Sequence, residues 1–211
     1  MADTSILATR PSASRKDEDK GNQILEAAGS LFLSEGFSAV SMAQIASEAG
    51  VSKQTVYSHY GSKEALLSAA INKKCADYEV AIQEADFERP VREFLRDFIL
   101  HFNALVTSEA GIGMHRLCTA DSKAAGLFWE AGPAPIHDLL VNYLDKQVER
   151  GRLAIDNTDF AAVQLLQLSK SSVHMRGVLG LPVEEERLAL PAYLDSCLAM
   201  FIRAYGVPSD G

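Results

Sequence analysis

Apolar residues along this chain recur every three or four positions almost from end to end, and no run alternates with the period of a strand. The pattern predicts an all-α fold. A first helix is expected over residues 20–34, with Ile24, Ala28, Leu31 and Phe32 facing inward and Gly36 ending it. Two short helices follow within residues 41–60. Gly61 then breaks the chain, and Ser62 can cap a long helix reaching about residue 84, with Leu66, Leu67, Ala70, Ile71 and Tyr78 inward. Pro90 suits the first turn of the next helix, whose stripe runs through Val91, Phe94, Leu95, Phe98, Ile99, Phe102, Leu105 and Val106. Gly111 and Gly113 are expected to precede a short helix through Met114, Leu117 and Cys118. Residues 124–150 read as a helix bent at Gly132-Pro133 and stopped by Gly151. Two longer helices close the chain at residues 158–179 and 184–205, with Pro191 near a bend or a start.

The segment 41–60 (SMAQIASEAGVSKQTVYSHY) is the most specific text in the sequence. Ser41 and Gln44 form the Ser-x-x-Gln of a capping box. Met42, Ile45, Ala46 and Ala49 make a narrow apolar stripe. Gly50 stands where the chain must turn sharply, in a left-handed conformation that costs glycine nothing. Val51 can plug the angle, and Ser52 can cap a second helix from Lys53 to Tyr60. On that helix Val56 and Tyr60 share an inward side, which leaves Lys53, Gln54 and Tyr57 on an exposed sector. Lysine suits a phosphate or guanine, glutamine an adenine edge, and tyrosine a phosphate or a thymine methyl. The pattern predicts a helix-turn-helix whose second helix reads the DNA groove, the alternative being an ordinary helical hairpin with a solvated polar face.

The text ILEAAGSLFLSEGFSAVSMAQIASEAGVSKQTVYSHYGSKEALLSAAI resembles the DNA-binding domain of the TetR family of transcriptional regulators. It carries Leu-Phe-x-x-x-Gly-Phe, Ser-Met-x-x-Ile-Ala, Ala-Gly-Val-Ser-Lys-x-Thr-x-Tyr and Gly-Ser-Lys-Glu-Ala-Leu in the family's order. Tyr60 stands where the family often has Phe. The resemblance implies DNA contacts from Ser41, Ser52, Lys53, Gln54, Thr55, Tyr57, His59 and Lys63. It also implies three segments: an N-terminal arm at 1–19, a helix-turn-helix domain at 20–72 and a helical ligand-binding and dimerisation domain at 73–211. The stretch LFWEAGPAPIHDLLVNYLDKQVERGRLAIDNTDFAAVQLLQL is similar to the ligand-binding region of AefR-like members. Such bodies dimerise through their last two long helices. Phe160, Val163, Gln167, Ser171 and His174, and likewise Leu194, Leu198, Phe201 and Tyr205, fall at helical spacing and suit either a dimer face or plain core.

Charge changes the picture once it is divided. The formal net charge is −8, yet residues 1–74 hold eight Lys/Arg against eight Asp/Glu, and residues 75–211 hold twelve against twenty. The excess acid therefore lies outside the helix-turn-helix segment and limits promiscuous association with nucleic acid. Arg15 and Lys16 precede the expected first helix. They suit a minor-groove arm, or, beside Asp17, Glu18 and Asp19, a solvated disordered tail. No apolar run approaches the roughly 18 to 20 residues of a membrane span, so a cytoplasmic protein is expected. Cys75, Cys118 and Cys197 are too scattered for a disulfide framework or a zinc cluster. Neither metal nor cofactor is expected.

For the body, Phe94, Phe98, Phe102, Met114, Phe128 and Trp129 suit plain core one by one, and as a group the family resemblance implies that they line an apolar cavity for a small-molecule effector. His101, His115 and His137 would be its polar handles, with Cys118 beside them. The expected activity is ligand-controlled repression by a homodimer on a palindromic operator. Two alternatives remain at this level. One is a small helical enzyme pairing Glu130 with His115 or His137. The other is a helical adaptor that binds no DNA.

Overall fold

A computed structural model describes residues 15–207 of the 211-residue chain, with side chains from Asp19 onward. The fold is all-α. The first four helices are α1 (Arg15–Glu35), α2 (Met42–Glu48), α3 (Lys53–Tyr60) and α4 (Lys63–Asp77), here termed the head. After a short 3-10 helix at Glu84–Glu88 come α5 (Val91–Thr107), α6 (Glu109–Ala120), α7 (Ser122–Ala131), α8 (Pro133–Glu149), α9 (Thr158–Val178) and α10 (Glu184–Tyr205), the body.

The apolar interior forms two clusters. One gathers Ile24, Phe32, Ile45, Val56, Leu66 and Leu67 of the head. The other is built around α5, with Leu95 and Ile99 against Leu140 and Tyr143 of α8, Leu165 of α9 and Leu198 of α10. The clusters meet along a packed seam: Leu117 of α6 and Ala124 of α7 belong to the head's cluster, and Cys75 of α4 touches both.

Several boundaries differ from expectation for identifiable reasons. The first helix starts at Arg15, so residues 15–19 of the expected arm, Arg15 and Lys16 included, are helical backbone. That run lacks glycine and proline and is rich in residues of fair helix propensity. Residues 1–14 of the arm lie outside the described residues. Helix α4 stops at Asp77, not near residue 84. Glu79 takes a φ of +54°, which turns the chain so that Val80 and Phe87 bury in the body.

Gly111 and Gly113 lie inside α6, which Ser108 caps by accepting from the Gly111 N–H at 3.0 Å. They are needed for packing: a Cβ on Gly111 would sit 2.3 Å from the Leu105 carbonyl, and one on Gly113 would sit 3.1 Å from Leu33 Cδ2. Residues 124–150 form two helices, because Gly132 closes α7 and Pro133 opens α8. Pro191 lies within α10. Helix α9 contains a break that periodicity did not reveal: Ser171 has φ +60° and ψ 174°. The buried Asn103 amide bridges it, donating to the Ser169 carbonyl at 2.6 Å.

Candidate nucleic-acid interface and effector cavity

Local sequence builds the helix-turn-helix. Ser41 Oγ accepts from the Gln44 N–H at 3.3 Å, and Gln44 Oε1 accepts from the Ser41 N–H at 2.8 Å, closing the capping box. Gly50 turns the chain at φ +64°, and the Val51 N–H returns to the Ala46 carbonyl at 3.0 Å. Ser52 Oγ then accepts from the Thr55 N–H at 3.1 Å to start α3. Buried Val56 locks α3 onto Ile45 and Ala46 of α2. At the other end the Tyr60 hydroxyl donates to the Gly21 carbonyl at 3.0 Å, pinning α3 to α1.

This anchoring leaves Ser52, Lys53, Gln54, Tyr57 and His59 exposed on α3. Tyr57 is 45% exposed, and the Lys53 ammonium lies 5.8 Å from its ring centre. Donors suited to phosphate and base edges thus share one rigid, free face. Thr55 is half-buried, its hydroxyl 2.8 Å from Ser52 Oγ. The exposed Ser41 gives its hydroxyl to Gln44 Oε1 at 2.8 Å. Lys63 departs from the expected phosphate contact. Its ammonium donates to the carbonyls of Phe37 at 2.7 Å, Ser38 at 3.4 Å and Val40 at 2.8 Å, and lies 4.6 Å from the Phe37 ring centre. With its three donors taken, Lys63 ties α4 to the α1–α2 turn.

A cavity of about 410 Å³ lies where head and body meet, walled by α1 and α4 on one side and by α5 to α9 on the other. Of the residues expected to line it, Phe102, Met114, His115, Phe128, Trp129 and His137 do so. Phe94 and Phe98 do not. They share a face of α5 with Phe102, but each helical turn advances about 5.4 Å, and their turns belong to the closed core. There Phe94 stacks on Tyr143 with ring centres 4.1 Å apart. His101 faces outward, its Nε2 3.8 Å from the Glu79 carboxylate. Cys118 also lies off the cavity wall, and burial followed by the nearby Asp121 pushes its thiol up to about 11. His137 Nε2 is buried 3.4 Å from Asp159 without hydrogen-bond geometry. Glu130 is exposed, and among the described residues no ion pair joins it to His115 or His137, so the acid–base pair of the enzyme alternative is not assembled.

A polar part of the wall comes from α9, where Gln167 and His174 suit a dimer face or plain core by spacing alone and Lys170 carries no expected role. Gln167, Lys170 and His174 enter it from α9. The His174 ring meets His115 edge-on, centres 5.0 Å apart. Burial, then His115, then Lys170 lower its pKa to about 4, so it is neutral at neutral pH. Burial also lowers the pKa of Lys170. A lysine and a histidine four residues apart on α9, with Gln167 one turn before the lysine, is the available signal. The break at Ser171 between them concealed which way each side chain faces.

Comparison with known proteins gives two matches to family models. Residues 24–70 match the bacterial regulatory proteins of the tetR family, and residues 93–207 match the C-terminal domain of AefR-like transcriptional repressors. The HTH-type transcriptional regulator YerO of Bacillus subtilis is 44% identical over 52 residues, 25% of this chain and 18% of its own. The chain spans less than half the length of each of the curated relatives it matches. Among solved structures, the flavonoid-responsive regulator FrrA is 31% identical with a TM-score of 0.67, covering 91% of this chain and 100% of its own. A TetR-family regulator from Mesorhizobium loti shares the fold, with a TM-score of 0.73 at 22% identity over 92% of this chain and 100% of its own.

Proposed function

We propose, from the premise that this chain belongs to the TetR family of bacterial transcriptional regulators, that it is a repressor whose α3 reads an operator and whose cavity receives the releasing effector. The observation that carries this reading is the free face of Lys53, Gln54 and Tyr57 on a helix capped and anchored at both ends. The exposed N-terminal turn of α3 adds unpaired N–H groups suited to a phosphate. The match to AefR-like repressors over the body supports the repressing sense.

The working unit is a homodimer. Phe160 and Met175 of α9, Leu179 just after it, and Leu188, Tyr193 and Met200 of α10 are 40–85% exposed, an apolar surface suited to a second copy. Two α3 helices then meet successive major grooves roughly 34–36 Å apart on a near-palindromic site. Release follows from the cavity's position, since its walls include α1 and α4, the helices that carry α3. An effector shifts the pair away from operator spacing only by its differential affinity for the two states, about 1.4 kcal/mol for each tenfold.

The test is selection of bound fragments from the host genome, followed by retardation of a selected fragment and of random DNA at several salt concentrations. The selected fragment is expected to be retained preferentially. Joint replacement Lys53→Ala and Tyr57→Ala is expected to abolish that preference while the dimer persists in sedimentation. Equal retention of selected and random DNA by the unaltered protein would refute the reading.

A further inference from the structure

Of the three lysines among the described residues lining the cavity, Lys170 lacks a matching acid. Lys73 and Lys74 at its edge are occupied by Asp77, at 2.9 and 3.7 Å. Glu26, the one carboxylate on the wall, is exposed on α1 and forms no ion pair with a cavity lysine. The Lys170 ammonium is half-buried in the wall, and among the described residues it makes no hydrogen bond or ion pair. Its neighbours His174 and His115 stand edge to face, so two imidazoles and an ammonium come together on the cavity wall.

A half-buried cation without a partner is costly, and a ligand that supplies the missing anion gains from a site of reduced dielectric. Apolar side chains of α5 to α7, Phe102, Leu105, Val106, Met114 and Phe128, supply much of the remaining wall. Resting on the reading of this cavity as the effector site, we propose that it takes an apolar monocarboxylate, its carboxylate held by Lys170 beside His174 and His115 and its body against the α5–α7 side chains. A volume of about 410 Å³ suits a molecule of small-drug size. A ring-bodied acid and an acyl-chain acid share this chemistry.

The test is calorimetric titration of the full chain with 2-naphthoate and with decanoate, each beside its neutral primary amide. At least one acid is expected to bind, with its amide at least about tenfold weaker. Lys170→Met is expected to erase that difference while leaving the amide's affinity within about twofold, which also reports an intact fold. Whichever acid binds identifies the ring or the chain as the body. The proposal is overturned by an amide that equals its acid, by an acid preference that survives Lys170→Met, or by failure of both acids to bind up to about 1 mM. Because no DNA enters the titration, loss of operator recognition leaves its outcome untouched. An acid that binds through Lys170 yet never alters operator retention removes the effector role and leaves the site standing.

Discussion

Ser38 donates its hydroxyl to the Asp121 carboxylate at 2.5 Å, linking the turn after α1 to the junction of α6 and α7. The Ser38 N–H reaches the same oxygen at 3.2 Å, and the other Asp121 oxygen caps α7 by accepting from the N–H groups of Lys123 and Ala124 at 3.0 and 3.1 Å. Lys123 in turn meets the Glu64 carboxylate of α4 at 2.5 Å. Head and body are thus joined by polar contacts beside the apolar seam. Ser38→Ala is expected to speed amide exchange in the turn at residues 37–41 while α7 stays protected, whereas Asp121→Ala is expected to expose both. Hydrogen–deuterium exchange separates the two outcomes, and equal behaviour would deny the link a role apart from the cap.

The Asp121 carboxyl is held below its usual range, first by the Ser38 hydroxyl and then by the backbone N–H of Ala124. Its folded pKa is depressed, so the link is present above the unfolded value of roughly 3.9 and is lost as the pH falls through the lower folded value.

Lys63 and Lys53 are expected to part company under substitution. Lys63→Met leaves the Phe37 and Val40 carbonyls without their partner and is expected to lower unfolding stability by about 1–3 kcal/mol. The salt dependence of operator binding should stay as it is. Lys53→Met is expected to leave stability unchanged and to reduce the salt slope by about 1. Urea unfolding and retardation at graded salt check both, and a shallower slope in the Lys63 variant would return that residue to the DNA surface.

His174 makes stability depend on pH in a stated direction. Its folded pKa of about 4 lies below the ordinary 6.5, through burial first and then His115 and Lys170. Between those values the unfolded chain binds the extra proton. The stabilisation is therefore complete above about pH 6.5 and is lost as the pH falls toward 4, on the order of 3 kcal/mol in all. Denaturant unfolding at pH 7 and pH 5 is expected to show the drop in the unaltered chain and a smaller one in His174→Gln. Parallel curves would assign the pH dependence to other groups.

Two glycines in neighbouring helices are expected to answer oppositely to alanine. At Gly111 the new Cβ would lie 2.3 Å from the Leu105 carbonyl and 3.1 Å from Val106 Cα. Helix α6 must then move off α5, at about 1–3 kcal/mol. At Gly126 on α7 nothing lies within 4 Å of the added Cβ, and the gain in helix propensity is about 0.5–1 kcal/mol. Thermal melts of the two variants give the comparison, with Gly126→Ala above the parent and Gly111→Ala below it.

Helix α3 and its turn are legible in the sequence, because every device that forms them acts over one to four residues: the caps at Ser41 and Ser52, the turn at Gly50, the inward Val56 and Tyr60. So is the all-α class, which rests on the same short-range periodicity. What lay beyond local rules belonged to relationships across the chain. Phe94, Phe98 and Phe102 look alike in the periodicity, and only the packing of α8 and the Phe87 turn against one end of α5 separates core from cavity. Lys63 reads as a free cation until the carbonyls of Phe37 and Val40 arrive from more than twenty residues upstream. The Ser171 break aims Lys170 and His174 through a backbone conformation that Asn103, far away in sequence, helps to hold. Side-chain spacing encodes which face of a helix is apolar, but what that face meets depends on where distant helices come to rest, and only the tertiary structure decides that.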